Sequence, residues 1–247
     1  MAVLVTRPDE RGQQLVDMLA KAGVVAIHLP LFNIEAGAEL NGLPNKFAQL
    51  KAGDYVFAVS KSAVDFADKA LKNTGFVWRD DLQYFTVGQG TAQHFAMITT
   101  LAVHYPITQE NSEGVLQLAA MQNLQGKTIL ILRGNGGREL LSEQAQQRGA
   151  NVEIVECYRR EPIVYNSTET SLCKRAGVQT IVATSAEILT QLVDFVPQNE
   201  HNWLKSCQLI TVSERISHLA QALGWQNVIV SPRADNQTLL QTLLQCR

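Results

Sequence analysis

Residues 127–162 read KTILILRGNGGRELLSEQAQQRGANVEIVECYRREP, and this stretch decides the fold. Four apolar residues, Ile129 to Leu132, lead into Arg133-Gly134-Asn135-Gly136-Gly137. A helical segment follows to Arg148, Gly149 stops it, and a second extended run ends at Tyr158. The pattern predicts a strand-turn-helix-turn-strand unit. Its unbroken apolar first strand suits burial on both faces, as in a parallel sheet, and its glycines let a ligand approach the backbone where the helix begins.

The same unit opens the chain. At an offset of 126 positions Arg133 falls on Arg7, Leu141 on Leu15 and Gly149 on Gly23, with apolar strands on both sides. The register continues at 125, where Ser185 falls on Ser60 and Ser213 on Gly88, and returns to 126 where Pro232 falls on Pro106. Side-chain identity is sparse, so the near-constant spacing of landmarks carries the reading of an internal duplication.

Working outward, the chain is one strand-helix pair after another. AVLV (2–5) precedes a helix with Leu15, Met18, Leu19 and Ala22 on one face. Residues 24–34 are extended and broken at Pro30, and the stretch from Ala36 to Pro44 reads as a connector. Strand-helix pairs follow at 55–71 and 84–96, then a strand at 102–106 and a helix at 110–121. The second repeat continues with pairs at 179–196 and 208–224, a strand at 227–232 and a helix from Asn236. This alternation predicts an α/β protein of two similar parallel-sheet domains, with ligand bound beyond the carboxyl ends of the strands.

Composition is consistent with this. The 247 residues are 46% hydrophobic, enough for two modest cores. With 21 Lys and Arg against 23 Asp and Glu the net charge is −2, which argues against a nucleic-acid partner. No segment approaches a membrane span, and Met1 leads directly into strand-like residues with no signal peptide, so a cytoplasmic protein without a membrane partner is expected. Cys157, Cys173, Cys207 and Cys246 form no CxxC pair and suit reduced, packed thiols. The five histidines lack metal-ligand spacing, so no metal site is expected.

What stands at the strand ends points to chemistry. Arg7, Ser60, Gly88 with Thr91, Arg133 with Gly134 and Asn135, Thr184 with Ser185, and Ser213 each follow a strand and precede a helix, where free N–H groups and the helix dipole favour an anion. Each serine or threonine alone is first a helix cap. Six such turns on two similar halves suit a ligand with several carboxylates or phosphates, held in a cleft between them. The glycine turn matches neither G-x-G-x-x-G nor a P-loop, which disfavours a nucleotide, and Arg159-Arg160 reads first as a solvated strand end.

TRP at 6–8, SKSAV at 60–64, VGQGTA at 87–92, LRGNGGRELL at 132–141, ECYRR at 156–160 and TSAE at 184–187 together resemble the uroporphyrinogen-III synthase family over essentially the whole chain. One departure is Ile216, which stands where the family's second V-G-x-x-T-A turn has threonine. The resemblance implies two α/β domains that are not the two repeats, residues 1–34 with 162–247 and residues 35–161, joined by a two-segment hinge near 30–36 and 156–163. Periodicity alone does not choose between this exchange and two contiguous domains.

The resemblance further implies a lyase of haem biosynthesis that needs no cofactor and takes the linear tetrapyrrole hydroxymethylbilane as its substrate. Loss of the terminal hydroxyl gives an azafulvene. Closure at the substituted carbon of ring D gives a spiro intermediate, whose rearrangement inverts that ring to give uroporphyrinogen III. A monomer in transient contact with the upstream deaminase is expected. Tyr158 matches the family's active-site tyrosine. Its counterpart in the first repeat is Phe32, so only one copy offers a hydroxyl to protonate the leaving group. The reading from a different class is a two-lobed cytoplasmic binding protein that captures an anionic metabolite without chemistry.

Overall fold

The period-2 alternation inside the apolar runs produces sheets covered on both faces. In β1 (Ala2–Val5) all four residues are buried. Leu4 packs into one cluster with Ile181 and Leu209, whereas Val3 and Val5 pack into another with Val182 and Ile210. The computed structural model describes residues 2–137, 139–166 and 168–246, so Arg138 of the glycine-rich stretch lies outside the described residues.

The remaining strands are β2 (Val25–His28), β3 (Phe32–Ala36), β4 (Tyr55–Ala58), β5 (Gln83–Thr86), β6 (Val103–His104), β7 (Thr128–Gly134), β8 (Asn151–Pro162), β9 (Val178–Val182), β10 (Gln208–Thr211) and β11 (Val228–Val230). They form two sheets, ordered β11-β10-β9-β1-β2 and β3-β8-β7-β4-β5-β6. The first sheet is parallel throughout. The second is parallel from β8 to β6.

The chain exchanges its opening units between these sheets. The central β1 and its neighbour β2 come from the first repeat but join β9, β10 and β11 of the second, while β7 and β8 join β4, β5 and β6 of the first. Two compact units result: Met1–Ile34 with Glu161–Arg247, and Glu35–Arg160. The chain passes between them along β3 and β8. The Gly37 N–H donates to the Cys157 carbonyl at 3.0 Å and the Ile163 N–H to the Leu31 carbonyl at 3.0 Å, so these two segments run antiparallel.

Three α-helices lie outside the sequence reading: Thr168–Arg175, His201–Ser206 and one at the expected connector. The connector expected over 36–44 contains a short 3-10 turn, Leu40–Gly42, and runs into a helix, Leu43–Gln49. Pro44 stands in that helix's first turn, where proline's missing N–H costs no hydrogen bond, and Leu43 and Phe47 are fully buried. A proline read as part of a connector here starts a helix.

The close approach of the crossing strands depends on Gly37. A Cβ there would collide with the Glu156 carbonyl group and lie 2.9 Å from the Cys157 carbonyl carbon, all of it backbone that cannot swing away. Gly37→Ala should lower stability by about 1–3 kcal/mol through overpacking. Gly42→Ala, where a Cβ meets nothing within 4 Å, should change it by less than about 0.5 kcal/mol. Thermal melts of the two variants check the contrast, and equal melting temperatures would contradict it.

Candidate active site

In each sheet one central strand is flanked by strands reached in opposite directions: β1 lies between β2 and β9, and β7 between β8 and β4. Ligands of open parallel sheets bind outside the carboxyl ends of strands at such reversals. Arg7 follows β1 and Thr184-Ser185 follow β9 in one unit; Arg133-Gly134 end β7 and Ser60 follows β4 in the other. Gly88 and Thr91 follow β5, and Ser213 follows β10, one strand further out.

The serines are caps. Ser60 Oγ accepts from the Ala63 N–H at 3.2 Å, Ser185 Oγ from the Ile188 N–H at 3.1 Å and Ser213 Oγ from the Ile216 N–H at 3.4 Å. A capping hydroxyl uses its oxygen as acceptor and retains its proton for another partner, so capping does not exclude ligation. At Gly88, which has no side chain to cap with, the Gln89 N–H donates at 3.1 Å to the Glu110 carboxylate. A carboxylate of the chain itself therefore occupies one helix N-terminus where an anion was expected.

Both arginines are engaged within the protein. Arg7 is 8% exposed; its Nη1 donates to the Ala234 carbonyl and to Asn236 Oδ1, each at 2.7 Å, tying the first turn to the start of the helix Asn236–Gln245. Burial, and secondarily the charge of Arg11, pushes its guanidinium down to about 10, still protonated at neutral pH. Arg133 Nη1 lies 2.7 Å from Glu139 Oε1, and Nη2 lies 3.9 Å from Glu156. The hydrogen bond from Arg133, joined by one from Ser142, holds the Glu139 carboxyl below the usual carboxylate range. The Asn135 side chain is likewise used on β8: its Oδ1 accepts from the Arg160 N–H at 2.8 Å.

Tyr158, the expected proton donor, lies on β8 of the second unit. It is 2% exposed. Its backbone pairs with Gly134 after a register shift between Arg133 and Gly134, and its ring stacks toward Phe66 with centroids 6.3 Å apart. The phenolic oxygen accepts from Ser60 Oγ at 3.0 Å and from Arg160 Nη2 at 3.2 Å. The Arg160 guanidinium also lies 5.4 Å from the ring centroid. Sequence reasoning missed Arg160, although period-2 alternation puts residues 158 and 160 on one face of the strand. Neighbouring Cys157 is no nucleophile at neutral pH, because burial pushes its thiol up to about 12. Among the described residues no group of three or more potential metal ligands is gathered.

The chain belongs to the uroporphyrinogen-III synthase family: the family model described as "Uroporphyrinogen-III synthase HemD" matches residues 13–241. It is 44% identical over 246 residues to a uroporphyrinogen-III synthase of Salmonella typhimurium strain LT2, covering 98% of this chain and 100% of that one. The uroporphyrinogen-III synthase of Escherichia coli K12 is 42% identical with the same coverage. The fold is shared with a crystallised mutant uroporphyrinogen III synthase of Thermus thermophilus, at a TM-score of 0.70 and 16% identity over 100% of this chain and 99% of that one. It is also shared with the uroporphyrinogen-III synthetase of Helicobacter pylori 26695, at 0.61 and 13%, over 100% and 99%.

The ring of Tyr158 lies directly on the Gly134 backbone. A Cβ at Gly134 would stand 2.5 Å from Tyr158 Cε2 and 2.6 Å from Cζ. Gly134→Ala should therefore displace the ring, costing about 1–3 kcal/mol of stability. In the Tyr158→Ala background the same substitution should cost much less, because the obstructing ring is gone. Denaturant melts of the two single variants and the double variant measure this, and full additivity would contradict the contact.

Proposed function

We propose that this chain catalyses the uroporphyrinogen-III synthase reaction, the dehydrating cyclisation of hydroxymethylbilane with inversion of ring D through a spiro intermediate. The observation that carries this reading is the end-to-end match, at 44% and 42% identity, to relatives of that name. Those relatives do not favour a binding protein without chemistry. A monomer in the cytoplasm, receiving its substrate from the upstream deaminase, belongs to the same proposal, as does assignment of residues 1–34 with 162–247 and of 35–161 to two domains hinged at the crossing strands. Among the described residues no helix is long and apolar enough to cross a membrane.

The chemistry asks for three things: a proton for the departing hydroxyl, restraint of ring D in the reactive geometry, and suppression of the simple closure that leaves ring D uninverted. Backbone N–H groups and capping hydroxyls at the strand ends of each unit supply the restraint by holding substrate carboxylates, with Ser60, Thr91, Gly134, Thr184, Ser185 and Ser213 as the proposed contacts, and Gly88 joining them only when Glu110 gives up the helix N-terminus it occupies. Arg7 and Arg133 support these turns from within, through Ala234 and Asn236 in one case and Glu139 in the other, as Asn135 does through β8.

Tyr158 is the proposed proton donor. Two groups already donate to its oxygen, so neither bond uses the phenolic proton, which remains available to a third partner. A tyrosine is ordinarily protonated at neutral pH and can pass its proton to a leaving hydroxyl.

The test supplies freshly generated hydroxymethylbilane and separates the type I and type III products. Wild-type protein should form the type III isomer; type I alone would sink the synthase reading. Tyr158→Phe keeps the ring over Gly134 and should lower turnover by roughly 10²–10⁴-fold with product affinity and melting temperature nearly unchanged. Undiminished turnover in that variant would remove Tyr158 from the mechanism while leaving the overall reaction in place.

A further inference from the structure

Arg159 and Arg160 are adjacent but do different things. Arg159 turns outward to an exposed ion pair with Glu35 at 3.1 Å, whereas Arg160 turns in, brings a charged N–H to the Tyr158 oxygen at 3.2 Å and lays its guanidinium near the ring. Its main chain is fixed as well: the Arg160 N–H donates to Asn135 Oδ1 at 2.8 Å, and the Tyr158 carbonyl accepts from the Asn135 N–H at 3.0 Å. Asn135 thus clamps β8 on both sides of the Tyr158 to Arg160 step, on the glycine turn that also seats the ring.

The duplication supplies an internal comparison. At the 126 offset Tyr158 corresponds to Phe32 and Arg160 to Ile34, while at 125 Ser60 corresponds to Ser185. The capping serine is present in both copies and the hydroxyl and guanidinium in one. The phenol and the guanidinium are thus present together in one copy and replaced together by apolar residues in the other.

From this geometry, and resting on the reading of Tyr158 as proton donor, we propose that Arg160 is a positioning residue that stabilises the tyrosinate formed when Tyr158 gives up its proton. In that step the Tyr158 O–H bond breaks and its proton joins the hydroxymethyl oxygen. The carbon–oxygen bond breaks with its electron pair going to oxygen, and water leaves. The phenolate left behind faces the Arg160 guanidinium and the Ser60 hydroxyl, and it regains a proton when the cyclised cation loses one. A cation beside the developing negative charge lowers the barrier most, because its bond strengthens as the charge appears.

The experiment is a kinetic double-mutant cycle on the full chain with hydroxymethylbilane as substrate: Arg160→Met, which keeps an unbranched apolar stem, Tyr158→Phe, and the two combined. Arg160→Met should lower kcat by roughly ten- to a hundred-fold, the range of a charged hydrogen bond, with KM within about two-fold. Arg160→Lys should recover part of the loss, because it keeps the cation without the fixed fork. In the Tyr158→Phe background the Arg160→Met effect should vanish, since no phenolate forms there. Equal losses in both backgrounds, or a loss confined to KM, would show Arg160 acting apart from the tyrosine and would overturn the proposal. So would undiminished kcat in Arg160→Met. A slow Tyr158→Phe variant alongside either result would leave the tyrosine's role intact and reject only Arg160's. If Arg160→Met fails to fold, Arg160→Gln carries the same comparison, keeping an N–H donor without charge.

Discussion

The contact between the Tyr158 ring and the Gly134 backbone fixes the geometry of the site around it. β7 and β8 pair in step from Thr128 with Asn151 to Arg133 with Glu156, and then the register slips so that Gly134 meets Tyr158 rather than Cys157. Successive side chains of a strand point to opposite faces, so a slip of one residue changes which side chain lies over the neighbouring strand. Local irregularities of this kind re-aim side chains beside active sites. Here the slip seats an aromatic ring on the one residue type that has no side chain to obstruct it. The skipped Cys157 turns its carbonyl to the Gly37 N–H of the other crossing segment, so the slip and the close approach of that segment are two consequences of one local rearrangement.

The strand ends of each unit present helix N-termini without a basic composition. Its net charge is −2, and both Arg7 and Arg133 have partners inside the protein. On the proposed reading, attraction for anions would reside instead in helix N-termini at the strand ends, where N–H groups are fixed by the fold and need no reorganisation when a carboxylate arrives. Glu110 at the Gln89 N–H shows that such a terminus accepts a carboxylate in this protein. Neutral donors also suit a substrate whose product must depart, since a carboxylate held by backbone N–H groups and hydroxyls is released more readily than one in a bidentate arginine pair.

The strands, the parallel sheets and the turns at their ends were legible because each rests on local pattern: a continuous apolar run, a glycine after a helix, a serine before one. The pairing of each opening unit with the other repeat was not legible from periodicity, because the same apolar alternation on β1 and β7 suits either partner set. The helix over Leu43–Gln49 was hidden by Pro44, whose meaning depends on whether it falls inside or at the start of a helix. Arginines at strand ends resemble solvated charges in composition. Only the alternation along β8, combined with the register slip that turns Tyr158 over Gly134, separates Arg160 from Arg159.

The two copies of the unit differ at both positions of this pair, Tyr158 and Arg160 against Phe32 and Ile34. In the first copy Phe32 packs into a hydrophobic cluster together with Leu29, Leu31 and Ile181, and it is 5% exposed. A hydroxyl at Phe32 would have to find a partner in that apolar cluster, because a buried polar group without one carries its desolvation cost. A substrate with one leaving hydroxyl requires acid at one place only. On the proposed role of Tyr158, a duplicated fold in which one copy keeps an apolar pair and the other a phenol-guanidinium pair would meet that requirement without altering the sheets or the turns that the copies share.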